Sequence, residues 1–166
     1  MNGTEKKGAA IIGIGNLLMR DEGFGVHVIR YLEKSFCFPD DVGLVDGGTA
    51  GIYMAPVFED VNHAIVVDVI ALDREPGTVV CLSHEGMRGK GPALSMSPHQ
   101  IGVLEILEVC RFRGTLPERI EFLCVVPEKI EAGTSLSPCL APKVAEVAHL
   151  AVNELKAQGY NIVENA

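Results

Sequence analysis

Acidic residues follow the predicted strands of this sequence at the points where those strands end. Asp21 and Glu22 come after the glycine-rich turn behind the first apolar run, and Asp46 ends the second run. Asp68 directly follows four core-type residues, where a carboxylate is poorly hydrated unless a partner offsets its charge. Because ligands of open α/β sheets bind outside the carboxyl ends of the strands, we expect these side chains to meet at one edge of the sheet.

A histidine from a different element is placed to reach the same edge. His99 lies in the first turn of the helix that Ser97 and Pro98 open, and a helix N-terminus disfavours the imidazolium form. We therefore expect a neutral imidazole that can bind a metal ion. Two of the carboxylates with this imidazole would form a mixed oxygen and nitrogen site, which suits a divalent first-row metal without choosing between nickel, zinc and cobalt. Three protein ligands would leave coordination positions open for another group.

Each of these residues also has an ordinary structural explanation. Asp21 is well placed to be the N-cap of the helix that begins at Phe24, and we favour that role over metal binding. Glu22 could compensate the helix dipole, and Asp46 could begin the glycine turn that follows it. It is their convergence on one edge that favours a site. Nucleophilic catalysis has less support, because the sequence contains no Gly-x-Ser-x-Gly motif.

The composition of the 166-residue chain favours one globular domain, residues 1–166, with residues 1–7 as a polar extension. The net charge of −8 and the lack of a Lys/Arg cluster exclude a nucleic-acid backbone as a partner. The apolar runs are shorter than the roughly 20 residues of a membrane span, and residues 1–7 do not resemble a signal peptide. We therefore expect a soluble, cytoplasmic protein without disulfides. We also expect a monomer, because no long apolar stripe is left unassigned.

Strands and helices alternate along the predicted chain. The apolar runs predict strands at residues 9–15, 42–46, 63–69, 78–82 and 119–126. Helical spacing predicts helices at residues 24–36, 50–59, 97–112 and 137–158, and residues 83–96 are predicted to form a mobile loop. This alternation is typical of an α/β domain with a mostly parallel sheet that is covered on both faces.

Several short motifs occur in an order that is specific as a set. Gly15-Asn16-Leu17-Leu18 leads into Asp21-Glu22-Gly23-Phe24-Gly25, and Asp46-Gly47-Gly48-Thr49 and Asp68 follow their own strands. Further along come Ser97-Pro98-His99-Gln100 and Val126-Pro127-Glu128. With these motifs, which spread over residues 9–158, the chain resembles the nickel–iron hydrogenase maturation endopeptidases.

The resemblance implies a three-layer α-β-α sandwich around a twisted, mostly parallel five-stranded sheet. It also implies an endopeptidase that removes a C-terminal extension from the large-subunit precursor of a nickel–iron hydrogenase after nickel insertion. The family's metal-binding positions fall on Glu22, Asp68 and His99. In this family nickel is read in the substrate rather than held as a permanent cofactor, which fits an open three-ligand site.

The resemblance also implies residues for substrate recognition and cleavage. The family's glycine loop corresponds to Gly47, Gly48 and Thr49, a segment linked to substrate recognition, with Asp46 beside it. Asp46 could activate a water molecule, or the metal could polarise the carbonyl group, and the sequence leaves both mechanisms open.

Two other classes of protein compete with the peptidase interpretation. A dinucleotide-binding module is suggested by Gly13 and Gly15 after a strand and by Asp46 at the ribose-binding position. Against it, Asp21 and Glu22 would oppose a pyrophosphate at that turn. The second alternative is a metallochaperone that carries nickel without cutting a peptide bond, which the sequence does not exclude.

Overall fold

The computed structural model describes residues 7–89 and 98–165, with side-chain positions for residues 8–51, 53–87 and 102–165. The strands are β1 (Lys7–Ile14), β2 (Phe36–Cys37), β3 (Val42–Gly48), β4 (Val61–Val69), β5 (Val79–Ser83), β6 (Arg119–Val125) and β7 (Val163–Glu164). The helices are α1 (Phe24–Ser35), α2 (Ala55–Glu59), α3 (His84–Gly89), α4 (Pro98–Arg113) and α5 (Lys143–Ala157). Two short 3₁₀ helices cover Arg20–Gly23 and Gly51–Met54. None of the helices in the described ranges is long and apolar enough to cross a bilayer.

Five strands form the central sheet in the order β3-β1-β4-β6-β5. The first four strands in that order are parallel, and β5 runs antiparallel to β6. The prediction of a mostly parallel five-stranded sheet is therefore confirmed. β2 and β7 form a separate antiparallel pair, which the sequence did not predict because each strand has only two residues.

Both faces of the sheet are buried, as the three-layer arrangement requires. Alternate residues of one strand enter different cores: Ile11 and Ile65 join the core that contains Leu155 of α5, and Val66 joins the core that contains Ile106 of α4. Side chains of a strand point to opposite faces in turn, so helices must cover both sides. The sheet thus lies between α1 and α5 on one face and α2 and α4 on the other.

The structure differs from the predicted elements at three places. Part of the predicted loop at residues 83–96 is helix α3, whose Met87 is 1% exposed and packs into the core. Ser83 ends β5, and residues 90–97 lie outside the described residues. The last helix begins at Lys143 rather than near residue 137, because residues 137–142 form hydrogen-bonded turns before Pro142. The predicted helix at residues 50–59 is split into a 3₁₀ helix and α2.

A cluster of charged side chains joins β4, β6 and α5 at the amino-terminal end of the parallel strands. Glu121 accepts hydrogen bonds from Arg119 at 2.9 Å and contacts His63 Nε2 at 3.0 Å, and Arg119 also donates to Glu154 at 2.7 Å. Burial raises the pKa of Glu121, but the hydrogen bonds and positive charges of Arg119 and His63 more than offset it and lower the pKa below its usual value. The cluster therefore stabilises the ionised carboxylate in the folded state.

We expect Glu121→Gln to lower the free energy of unfolding by about 1 kcal/mol near neutral pH, because the carboxylate is only partly shielded from water. A lowered folded-state pKa gives stability that is present above the ordinary value of 4.5 and lost as pH falls through the folded pKa. Urea unfolding of wild type and variant should therefore show a difference that shrinks at acid pH. Glu146→Gln, in the exposed pair with Lys143, is the matched control. A difference independent of pH would contradict this assignment.

Candidate active site

The carboxyl ends of the parallel strands place two of the candidate acids at the same level of the sheet. In the register of the sheet, Gly13 of β1 lies opposite Asp46 of β3 on one side and opposite Val67 of β4 on the other. Asp68 is the next residue of β4. Since neighbouring strands are about 4.8 Å apart, the backbones of Asp46 and Asp68 are separated by about 10 Å across β1. The expected convergence of these strand ends is present.

Asp68 is a buried carboxylate of which only one oxygen accepts a hydrogen bond from the described residues. Its side chain is 2% exposed, and Oδ1 accepts a hydrogen bond from the backbone N–H of Val69 at 2.7 Å. Oδ2 has no hydrogen-bond donor among the described residues. Burial raises the pKa of Asp68 well above its usual value. The hydrogen bond from Val69 acts in the opposite direction, and the negative charge of Glu22 adds to the rise. An oxygen in this state is costly to bury, and a cation would compensate it.

The position of Asp68 in β4 turns it towards the α4 side of the sheet. Val66 lies in the core beneath α4, and residues two apart in a strand share a face. Cys124 of β6 lies opposite Asp68, and burial together with the Asp68 charge raises the pKa of that thiol well above its usual value. Cys124 is fully buried. The unpartnered oxygen thus belongs to the face that α4 covers.

Glu22 is carried by the tight turn after β1. The backbone carbonyl of Glu22 accepts a hydrogen bond from Asn16 N–H at 3.2 Å, which folds the turn back on itself. Gly15 makes this possible: its φ is +145°, and a Cβ there would lie 1.9 Å from the Glu22 carbonyl oxygen. Because the charge of Glu22 raises the pKa of Asp68, the two carboxylates are close enough to repel each other.

Asp21 does not cap helix α1, so that prediction is wrong. The N-cap position of α1 is Gly23, and it makes no side-chain hydrogen bond to the helix. Both carboxylate oxygens of Asp21 instead accept hydrogen bonds from Glu128, Lys129 and Ser137, more than 100 residues further along the chain. Burial acts to raise the pKa of Asp21, but these hydrogen bonds outweigh it and lower the pKa. Of the two neighbouring acids, only Glu22 is therefore left as a candidate metal ligand.

Asp46 is exposed, and its orientation is set by the glycines that follow it. Asp46 Oδ1 accepts a hydrogen bond from Gly48 N–H at 3.1 Å, and Gly48 has a φ of +43°. Gly47 is the extra residue of a bulge, because Gly13 pairs with Asp46 while Ile14 pairs with Gly48. A Cβ at Gly47 would lie 2.8 Å from Ile14 Cδ1. The exposed carboxylate is thus held in a defined position with access to water.

A small cavity connects this glycine loop to helix α4. It has a volume of about 140 Å³ and is lined by Ile14, Gly48, Thr49, Gly51, Met54, Gly102 and Val103. Two larger clefts, of about 250 and 390 Å³, lie near the amino-terminal half of β6 and contain none of the candidate residues. Of these three cavities, the small one lies beside the glycine loop that follows Asp46, and its volume is about that of one amino-acid side chain.

The first turn of α4 carries His99, whose side chain lies outside the described residues. The backbone of α4 begins at Pro98, and Gly102 and Val103 of the same helix line the cavity beside the glycine loop. Among the side chains that the structure describes, no three acidic, histidine or cysteine residues form a group that could hold one metal ion. The grouping of Glu22, Asp68 and His99 therefore stays a prediction; helix α4, which carries His99, covers the face of the sheet to which Asp68 belongs.

Comparisons with known proteins agree on one family. The family model described as HycI, hydrogenase maturation protease, matches residues 26–155. The hydrogenase 2 maturation protease of Escherichia coli K12 is 31% identical over 157 residues, covering 92% of this chain and 93% of that protein. The hydrogenase expression/formation protein HupD of Rhodobacter capsulatus is 33% identical over 157 residues, covering 94% of this chain and 75% of that protein.

A solved structure supports the same grouping. The hydrogenase maturating endopeptidase HybD from E. coli superposes with a TM-score of 0.89 at 29% identity, covering 95% of this chain and 97% of that one. The three-layer fold and the peptidase class are thereby confirmed, and the dinucleotide-binding and metal-carrier alternatives receive no support from these comparisons.

Proposed function

Because this chain belongs to the hydrogenase maturation protease family, we propose that it removes the C-terminal extension of the large-subunit precursor of a nickel–iron hydrogenase after nickel insertion. The observation that carries the proposal is Asp68 Oδ2, a buried carboxylate oxygen without a donor among the described residues. It lies at the carboxyl edge of the sheet beside the charge of Glu22. Two close carboxylates create a demand for a cation that nickel on the incoming precursor would satisfy.

In this proposal nickel belongs to the substrate. The precursor presents the ion on its own ligands, and Glu22, Asp68 and His99 complete the coordination shell. Carboxylate oxygens and an imidazole nitrogen suit a divalent first-row metal. A precursor without nickel gives these three side chains no ion to coordinate and therefore binds poorly. The enzyme thereby distinguishes a finished precursor from an unfinished one.

Asp46 is proposed to act as the general base for hydrolysis. Its exposed carboxylate accepts a proton from a water molecule while the water oxygen bonds to the carbonyl carbon of the scissile peptide. The C–N bond then breaks, and the proton on Asp46 passes to the departing amine. Gly47, Gly48 and Thr49 form the wall along which the substrate backbone lies, and the hydrogen bond from Gly48 fixes the orientation of the carboxylate.

The test is a time course with nickel-loaded and nickel-free precursor, followed by intact mass. We expect loss of a C-terminal fragment in the loaded sample only, because only that sample offers the ion that the carboxylates need. Equal cleavage of both samples would overturn nickel recognition while leaving the peptidase in place. Unchanged mass in both samples would overturn the proposed substrate.

A further inference from the structure

The turn that carries Glu22 is held from outside by a distant loop, residues 128–137, which we call the clasp loop. Three backbone hydrogen bonds join the two segments: Arg20 N–H to Gly133 at 2.8 Å, Gly133 N–H to Leu18 at 2.9 Å, and Asp21 N–H to Lys129 at 3.3 Å. An ion pair between Arg20 Nε and Glu131 of the clasp loop, at 3.4 Å, adds to these hydrogen bonds. The turn and the clasp loop therefore form one unit.

Asp21 lies at the centre of this unit. Its side chain is 0% exposed, and Oδ2 accepts hydrogen bonds from Glu128 N–H at 2.9 Å, Lys129 N–H at 2.8 Å and the Ser137 hydroxyl at 2.7 Å. Oδ1 accepts from Ser137 N–H at 2.7 Å. Hydrogen bonds to an ionised acceptor are the stronger kind, and here they tie both ends of the clasp loop to one carboxylate.

The conformation of the turn needs such support. Arg20 has a φ of +48°, the left-handed region that residues other than glycine rarely adopt. The clasp loop fits closely against it, since a Cβ on Gly133 would lie 2.9 Å from Arg20 Cγ. The four-residue 3₁₀ helix from Arg20 has no side-chain cap of its own. Hydrogen bonds from the clasp loop therefore support the turn that carries Glu22, in addition to the bonds within the turn.

We infer that Asp21 is a positioning residue: by binding the clasp loop it fixes the neighbouring Glu22 in the orientation that meets the substrate. The inference rests on the proposed function for the role of Glu22, while the clasp itself stands on the hydrogen bonds alone. It also explains why two adjacent acids occur here. The carboxylate of Asp21 holds the clasp loop, and the proposed role of the next acid, Glu22, is to meet the substrate.

The experiment compares Ser137→Ala, Asp21→Asn and Asp21→Ala with wild type in two measurements. The first is native-state trypsin cleavage after Lys129, in the clasp loop. The second is the kcat and KM for nickel-loaded precursor. Ser137→Ala removes one donor, Asp21→Asn places an amide donor against N–H groups, and Asp21→Ala removes all four acceptor contacts. We expect both effects to increase in that order, with Asp21→Asn cleaved at least tenfold faster and its kcat reduced at least tenfold.

A control of matched stability separates positioning from simple weakening of the fold. Val152→Ala, in the core between α5 and the sheet, is chosen because its side chain is 1% exposed and far from the turn along the chain. Where the urea midpoints of Val152→Ala and Asp21→Asn agree, the control should keep the wild-type kcat and resist trypsin at Lys129. If Asp21→Ala does not fold, the test of positioning uses Ser137→Ala and Asp21→Asn only.

The inference is overturned if the clasp loop opens in Asp21→Asn while kcat stays within twofold of wild type, or if kcat falls no further than in Val152→Ala. It is equally overturned if trypsin cleavage at Lys129 is unchanged. If wild type itself does not process the precursor, the proposed substrate is wrong. In that case trypsin cleavage after Lys129 in the three variants still tests whether Asp21 holds the clasp loop.

Discussion

Asp68→Asn is expected to abolish processing of nickel-loaded precursor, by more than about 100-fold in rate, while the chain stays folded. The amide oxygen can keep the hydrogen bond from Val69 N–H, which Oδ1 accepts at 2.7 Å. The NH₂ group then occupies the position of Oδ2, where it offers neither a negative charge nor a lone pair to a cation. Since the replaced atom, Oδ2, has no donor among the described residues, the fold loses no hydrogen bond by the change.

The measurement is the intact-mass time course of the precursor, together with urea unfolding of each variant. Asp60→Asn is the matched control, because it makes the same chemical change at an exposed residue just before β4, at the other end of the strand that carries Asp68. His99→Ala is the companion variant and should have the same effect on processing. Processing by Asp68→Asn within twofold of wild type would remove this residue from the site.

The sheet and the long helices could be predicted from the sequence because their buried positions carry apolar residues at regular spacing. The run at residues 64–67 is buried on both faces in the structure, as a central parallel strand requires. The stripe of Phe24, Val28 and Leu32 on α1 is fully buried. In these elements the residues that fit the local apolar spacing are also the residues that pack into the core, so the spacing alone predicts the element.

Helix α3 was missed because its sequence carries no such pattern. It spans His84–Gly89 and includes two glycines, and its buried residues within the described part are His84 and Met87. Glycine and polar residues favour a loop when only local preferences are considered. Tertiary packing of these two side chains stabilises the helix, and a sequence window of six residues does not show that packing.

The role of Asp21 was missed for a different reason. An acid before a helical stripe predicts an N-cap, since the nearest free N–H groups are those of the helix. Its actual donors on Glu128, Lys129 and Ser137 lie 107 to 116 residues away, and only the sheet order brings them near.

The candidate site was predictable as an edge of the sheet, but not as a set of contacts. Alternation of strands and helices requires parallel strands, and this alone brings Asp46 and Asp68 to the same edge. The bulge at Gly47, which turns the chain beside Asp46, depends on the fit of Ile14 against the loop. Packing contacts of this kind form only in the assembled fold, so they cannot be predicted from the sequence of one strand.

Gly25→Ala is expected to prevent folding, the largest effect on stability that we predict. A Cβ at Gly25 would lie 2.3 Å from the carbonyl oxygens of both Ile14 and Val67. These are backbone atoms of β1 and β4, which hold their positions in the sheet and cannot move aside as a side chain would. Relief would need a shift of α1 away from the sheet. We expect a loss above about 4 kcal/mol, a large part of the total stability of a domain of this size.

Far-UV circular dichroism and urea unfolding test this prediction, with Gly102→Ala as the control. Gly102 lies within α4 and a Cβ there meets nothing within 4 Å, so the change should raise the free energy of unfolding by about 1 kcal/mol through helix propensity. A Gly25→Ala variant that unfolds cooperatively within about 1 kcal/mol of wild type would contradict the close contact.

The same contact connects the fold to the site. Gly13 lies under the first turn of α1, where a Cβ would be 2.2 Å from the carbonyl oxygen of Gly25. The helix therefore touches the sheet backbone to backbone at the end where β1 finishes, and the turn between them has no freedom to move outwards. This contact and the clasp loop fix the turn from its two sides. The turn that carries Glu22 is held at this edge of the sheet for that reason, and loss of Gly25 would remove the candidate site together with the fold.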